Sequence, residues 1–350
     1  MKIDTFTVIS LLCKKKIKNR YILKKTTTFI AFLLLIFTSI NAQENTEKLI
    51  TPPYLQKGDT IAIIAPAGIL KGREDVIQKA KELAESWGLN VVYGKNLFNK
   101  SGHFAGTDEE RVTDFQKALD NPNIKAIWSG RGGYGSVRLL DHLDYNVFIK
   151  HPKWIIGYSD ITAFHSHFNV LGFETMHAMM GTSLGDKPDE TIETIASFKK
   201  AIFGKKLKYS VPSSKYNRKG KVEGELIGGN ISIITSMTGS KSEMKTENKI
   251  LFLEEIGEYK YSIDRMLQTL KRAGYFKGIN GIIVGDISKI KTNSTKWGHS
   301  IEELILNVVP KNIPIIFDFP AGHEADNRTL IFGRCVKMKV GKNKSTVTFE

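Results

Sequence analysis

Apolar positions in the first half of the chain fall into short β-branched runs that alternate with helical spacings. "GDTIAIIAPAG" (Gly58 to Gly68) is an apolar run ending in a Pro/Gly loop, and it predicts a strand. "REDVIQKAKELAESWG" follows, with apolar residues at Val76, Ile77, Ala80, Leu83, Ala84 and Trp87, a helix closed by Gly88. "NVVYG" predicts a second strand. "TDEERVTDFQKALD" places Thr107 three residues ahead of Glu110, a capping-box spacing, and continues as an amphipathic helix. "IKAIWSG", the helix "SVRLLDHL", the strand "KWIIGYSD" and the helix "ITAFHSHFNVLG" extend the alternation. A β-α-β-α order of this kind predicts a parallel sheet covered by helices, with any chemistry at the carboxyl ends of the strands.

From about Thr182 the pattern changes. "GDKPDETIETIASFKKAIFG" reads as a helix that begins a connection, and "VPSSKYNRKGKVEGE" is polar and turn-rich. A strand-richer region follows: "GELIGGN", "KILFLEE", "GIIVGDIS", "IPIIFDF", "TLIFGRCVKMKV" and "STVTFE", with "SIDRMLQTLKRAG" and "IEELILNVV" as interleaved helices. This organisation predicts an N-terminal α/β domain over residues 55–181, a connection over 182–222 and a mixed α/β domain over 223–345.

Composition changes the picture mainly at the N-terminus. Residues 14–25 carry Lys14, Lys15, Lys16, Lys18, Arg20, Lys24 and Lys25, and the apolar run "FIAFLLLIF" (Phe29 to Phe37) and "TSINAQE" follow. That order predicts a secretory signal over residues 1–42 with cleavage near Ala42, or an N-terminal anchor if it is retained. The expected location is periplasmic or secreted, with membrane contact only through an uncleaved leader. The net charge of +15 then overstates the mature surface, because eight Lys or Arg and one Asp lie within residues 1–42. The remaining lysines are scattered without interleaved aromatics, so no nucleic-acid partner is expected. Cys13 lies in the leader, and Cys335, alone in the remainder, has no partner for a disulfide.

Four strand-end segments carry polar residues. "SGRGGYGS" (Ser129 to Ser136) has glycines that leave backbone N–H groups open to an anion, but it lacks the third Gly of a dinucleotide loop and the Lys-Ser/Thr of a P-loop. Ser159 stands where the strand "KWIIG" turns into a helix. It is placed either to cap that helix, as Asp160 also is, or to be lifted out of the sheet as a nucleophile. Glu254 and Glu255 end the strand "ILFLEE", where alternation points one to each side and leaves at least one as a surface carboxylate. His323 follows Pro320-Ala321-Gly322. "HEADN" has no second His at i+4, and His165 and His167 diverge on a helix, so no metal site is expected. A hydroxyl, an acid, an imidazole and a Gly-rich loop at strand ends are the inventory for nucleophilic acyl transfer, which calls for no cofactor.

The segments "IAIIAPAG", "GRGGYGSVRLLDHLDY", "IIGYSDITAFH", "GELIGGNISII", "LFLEEIGEYKYSIDRMLQTL" and "FPAGH" resemble, in order, the LD-carboxypeptidases of serine peptidase family S66. The resemblance implies a flavodoxin-like N-terminal domain that gives a Ser and a C-terminal mixed α/β domain that gives Glu and His. On its motifs the nucleophile is Ser159, the charge-relay acid Glu254 and the base His323. The oxyanion donors are the N–H groups of Asp160 and Gly133, and Arg131 is a candidate for the substrate's terminal carboxylate. The implied reaction removes the terminal D-Ala of a murein tetrapeptide, and the implied assembly is a homodimer. A sister group cleaves peptidyl-nucleotide antibiotics, so that substrate stays open, as does a catalytically silent muropeptide-binding protein. Where the family often has His-Gly-Pro-Met, this chain has His177-Ala178-Met179-Met180, a change placed to reshape the substrate pocket.

Overall fold

The computed structural model describes residues 48–185 and 188–350, so the leader expected over residues 1–42 lies outside the described residues. Strands β1 (Thr60–Ile64), β2 (Asn90–Tyr93), β3 (Ile124–Ser129), β4 (Trp154–Gly157) and β5 (Thr175–His177) form one parallel sheet in the order β2-β1-β3-β4-β5. Its helices are α1 (Glu74–Ser86), α2 (Asp108–Asp120), the short α3 (Asn146–Lys150), α4 (Thr162–Val170) and α5 (Ile192–Ile202). The period-2 alternation of β1 decides which face meets which helix. Ile61 and Ile63 pack with Ile77, Ala80 and Ala84 of α1 and Phe198 of α5, whereas Ala62 and Ile64 pack with Phe115 of α2 and Phe164 of α4. The capping box expected at Thr107 and Glu110 is present.

The second sheet holds β6 (Lys208–Pro212), β7 (Gly220–Asn230), β8 (Ile250–Ile256), β9 (Gly281–Ser288) and β10 (Ile315–Ile316). Helices α6 (Ile231–Met237), α7 (Lys260–Arg272) and α8 (Ile301–Val308) cover one face, against Leu251, Leu253 and Ile282. Three strands near the carboxyl end complete the fold: β11 (Leu330–Phe332), β12 (Cys335–Val340) and β13 (Lys344–Phe349). The order is β10-β9-β8-β7-β12-β13-β6, parallel from β10 to β7 and antiparallel beyond. Phe252 and Ile283, on the face away from α7, join the same core as Trp128 and Ile156 of the first sheet.

Two expectations need correction. "TLIFGRCVKMKV" is not one strand. The chain turns at Gly333, which has φ of 90°, and β11 pairs antiparallel with β5 at the edge of the first sheet while β12 enters the second. "SVRLLDHL" forms two short 3-10 turns, Ser136–Arg138 and Leu140–His142, instead of a helix. Their first backbone N–H, that of Ser136, donates to a side chain, Asp160 Oδ2, at 2.8 Å.

The two sheets meet at the end of β7. A Cβ on Gly229 would lie 2.3 Å from Thr162 Oγ1, so only a glycine lets this strand end approach the start of α4. The Asn230 N–H donates to that same Thr162 hydroxyl at 3.0 Å. Ser159 stands three residues before Thr162, and Glu254 is the register partner of Asn230. Among the described residues no helix is long and apolar enough to cross a membrane.

Candidate active site

Ser159 follows β4 with φ of 63°, in the left-handed region that non-glycine residues rarely occupy. That conformation costs about 1–3 kcal/mol and persists only where its surroundings fix it. Here they do. The Ile161 N–H bonds the Tyr158 carbonyl at 3.2 Å, and the Gly157 carbonyl accepts from the Ala178 N–H at 3.1 Å. Gly157 also accepts from His165 Nε2 at 2.9 Å. Burial pushes His165 down to about 4, so it is neutral near pH 7 and its proton sits on Nε2.

Neither helical start after β4 carries a side-chain cap, so the Ser159 hydroxyl is not a capping group. Its Oγ lies 2.9 Å from His323 Nε2. His323 Nδ1 lies 2.7 Å from Glu254 Oε2. A carboxylate only accepts, so Nδ1 carries the imidazole proton and Nε2 is left to accept from the Ser159 O–H. The three side chains come from 164 and 69 residues apart in sequence and form one hydrogen-bonded line. Glu254 is fully buried, and its Oε1 has no hydrogen-bond partner among the described residues. Burial pulls the His323 imidazole down, but the charge and hydrogen bond of Glu254 outweigh it. Glu255 and Asp286 add to this, and His323 is held above the ordinary histidine value.

The expectation that at least one of the paired glutamates is a surface carboxylate fails, because Glu254 and Glu255 are 0% and 2% exposed. Glu255 points to the other side of β8, where its Oε2 accepts from Ser232 N–H at 2.8 Å and Ser232 O–H at 2.6 Å. Its Oε1 accepts from Asn230 Nδ2 at 2.9 Å. Burial raises its carboxyl against these bonds. Glu255 thus holds the start of α6, and Glu254 alone meets the imidazole.

The Gly-rich loop closes the other side of Ser159. A Cβ on Gly132 would lie 3.2 Å from Ser159 Cβ and 3.4 Å from Oγ, so the glycine backbone comes as near the hydroxyl as packing allows. Gly133 has φ of 112°. Asp160 is buried, its carboxyl raised by that burial, and its Oδ2 receives the Ser136 N–H of the loop's last residue. Arg131 is half-buried, with Nη1 donating to the Ile69 carbonyl at 2.7 Å, and burial together with Arg73 lowers its pKa. Arg111, which sequence reading missed, braces this loop from below. Its buried Nη1 donates to Pro66 O at 2.6 Å and Gly135 O at 3.1 Å, and its Nη2 pairs with Asp108. The Asp108/Arg111 spacing on α2 is the only sequence sign of it.

His177, Ala178 and Met179 are 0% exposed and Met180 is 4% exposed. The Met179 carbonyl accepts from the Trp128 indole N–H at 2.7 Å, so Ala178 and Met179, the pair that departs from Gly-Pro, pack into the core.

Known proteins are similar to this chain in sequence and in fold. The family model of the LD-carboxypeptidase N-terminal domain matches residues 61–178, and that of the LD-carboxypeptidase C-terminal domain matches residues 223–338. The chain is similar to the protein named probable murein peptide carboxypeptidase of Bacillus subtilis, 33% identical over 302 residues, 85% of this chain and 93% of that one. It is also similar to the murein tetrapeptide carboxypeptidase of Pseudomonas aeruginosa, 30% identical over 285 residues, 78% of this chain and 91% of that one. Among solved structures, the muramoyltetrapeptide carboxypeptidase of Oxalobacter formigenes superposes with a TM-score of 0.74 at 28% identity, covering 83% of this chain and 98% of its own. The protein MccF in complex with glutamyl sulfamoyl guanosine gives 0.77 at 25% identity, covering 86% and 98%. The chain belongs to the LD-carboxypeptidases of serine peptidase family S66 and is a serine-type carboxypeptidase, a hydrolase.

Proposed function

We propose that this chain is an LD-carboxypeptidase that removes the terminal D-alanine from murein tetrapeptides, with Ser159, His323 and Glu254 as its catalytic groups. The observation that carries the reading is the continuous hydrogen-bonded line from Ser159 Oγ through His323 to Glu254, with Ser159 held in a left-handed turn. Ser159 Oγ attacks the carbonyl carbon of the penultimate residue, and its proton passes to His323 Nε2. The tetrahedral oxyanion is held by the N–H of Asp160, at the open start of the helical turn, and by the N–H of Gly133, each donor worth about 10²–10³ in rate. Collapse breaks the C–N bond, and His323 gives its proton to the departing alanine nitrogen. Water then repeats the sequence on the acyl-serine and frees the tripeptide. Arg131 faces the substrate's terminal carboxylate. An exported location follows from the basic-then-apolar order of residues 1–42 and is tested by fusing them to a reporter active only outside the cytoplasm.

The likeness to MccF favours a second reading, hydrolysis of a peptidyl-nucleotide at the same three residues. Mass spectrometry of reactions with a purified murein tetrapeptide and with a peptidyl-nucleotide separates the two. Loss of one alanine from the tetrapeptide supports the first reading. Cleavage of the nucleotide conjugate alone overturns it, and cleavage of neither favours the silent binding protein.

A further inference from the structure

Asp286, near the end of β9, lies beneath the loop that carries His323. Its backbone N–H donates to the Ala321 carbonyl at 2.9 Å, two residues before the histidine. Its Oδ2 accepts the Glu324 N–H at 3.1 Å, one residue after it. Between these bonds its side chain lies against Gly322, where an added Cβ would come within 2.9 Å of Asp286 Cβ. One residue therefore grips the loop on both sides of the imidazole.

The charged groups that face Asp286 are Glu324 on the same loop, Glu254 on β8 and His323 itself. Burial pushes the Asp286 carboxyl up to about 7. The Glu324 N–H opposes this, the charges of Glu324 and Glu254 add to it, and His323 draws it back. The coupling is mutual, since Asp286 is also among the groups that raise His323.

We propose that Asp286 is a positioning residue for the catalytic histidine, clamping its loop from both sides and adding a negative charge, beyond that of Glu254, around the imidazolium formed during acyl transfer. The inference rests on the Ser159–His323–Glu254 reading. As His323 takes the proton from Ser159, an ionised Asp286 favours the cation without touching the substrate. The two charges act on each other, so each bound proton discourages the other. The expected His323 titration of the wild-type enzyme is therefore flatter than a one-proton curve.

Asp286→Asn tests this, because the amide oxygen still accepts the Glu324 N–H while the charge is gone. The His323 ring is followed by NMR from pH 5 to 9 in the resting enzyme and identified by its absence in His323→Gln. In Asp286→Asn its pKa should fall by about 0.5 unit or more and the curve should become one-proton. The plateau kcat should fall about threefold, because one pKa unit corresponds to tenfold in imidazolium stability. The acid limb should move to lower pH together with that loss. Asp286→Ala, which also loses the acceptor, should lose more in kcat with the same shift in the limb. A lower kcat with an unmoved His323 titration would reduce Asp286 to a structural tie, and an unchanged Asp286→Asn enzyme would overturn the proposal outright. The NMR arm requires no turnover, so failure of the triad reading, seen as an active Ser159→Ala, is distinguished from failure of this one.

Discussion

Glu254→Gln is the substitution in which structure and chemistry make the most separable demands. The carboxamide has the shape of the carboxylate, and the site is fully buried, so the backbone and the His323 position should be retained. Two things change. His323 loses the charge that outweighs its burial, and its pKa falls below the ordinary value of about 6.5 instead of lying above it. The amide NH₂ can also face Nδ1, which moves the ring proton to Nε2 and blocks acceptance from Ser159. A wrong tautomer of this kind costs about 10⁴ in kcat, or about 5.5 kcal/mol of transition-state stabilisation. Stability should be equal or higher, since a buried carboxylate with an unpartnered Oε1 is replaced by a neutral group. The sign of the pH effect is fixed by the role of the base. His323 must be neutral to accept a proton, so activity rises with pH through its pKa, above the ordinary histidine value in the wild type and below it in the variant. Alanine release measured from pH 5 to 9, beside a thermal melt, reads all three quantities. A loss under tenfold, or an acid limb that stays in place, would refute the reasoning.

Other substitutions probe the scaffold that holds the site. The Lys153 ammonium is buried and donates to the carbonyls of Ala118, Leu119 and Asn121 at 2.7–2.8 Å, closing the end of α2. Lys153→Met should destabilise the protein by about 2–3 kcal/mol near pH 7, read from the denaturation midpoint. Burial lowers this lysine to about 8, so between about pH 8 and 10.4 the unfolded chain holds a proton that the native state has released. Wild-type stability relative to Lys153→Met should therefore rise with pH across that window, and a flat difference would contradict it. Gly229→Ala should drive a Cβ into Thr162 Oγ1 and push the two sheets apart beside Ser159. A lower melting temperature with a loss of about 10² in kcat is expected, whereas wild-type values for both would show that the close approach does not position the nucleophile.

Strands β1 to β4 and their parallel class were readable because each is a short apolar run punctuated by Gly or a capping residue, local signals that survive folding, whereas the three-residue β5 is too short to leave a pattern. The split of "TLIFGRCVKMKV" was not. Gly333 is an unremarkable residue in an apolar run, and what divides the run is the unpaired edge of β5 waiting for β11, a non-local fact. Alternation correctly sends Glu254 and Glu255 to opposite sides, yet it cannot tell that β8 is buried on both, with α6 on one side and His323 on the other. Ser159, Glu254 and His323 were recoverable as residue types at strand ends and by their resemblance to the family. The 2.9 Å and 2.7 Å contacts that join them depend on sheet packing, which no local pattern encodes. Arg111 and Asp286 carry still less signal, since a charged residue on a helix or at a strand end ordinarily faces water.

The central claim is that the Ser159 hydroxyl is the nucleophile, and D-alanine release by Ser159→Ala tests it most directly. The variant is compared with wild type on the same murein tetrapeptide, with circular dichroism confirming an unchanged fold. A loss of at least about 10³ in kcat/KM is expected, because members of a triad act as a unit. Alanine release within tenfold of wild type would contradict it.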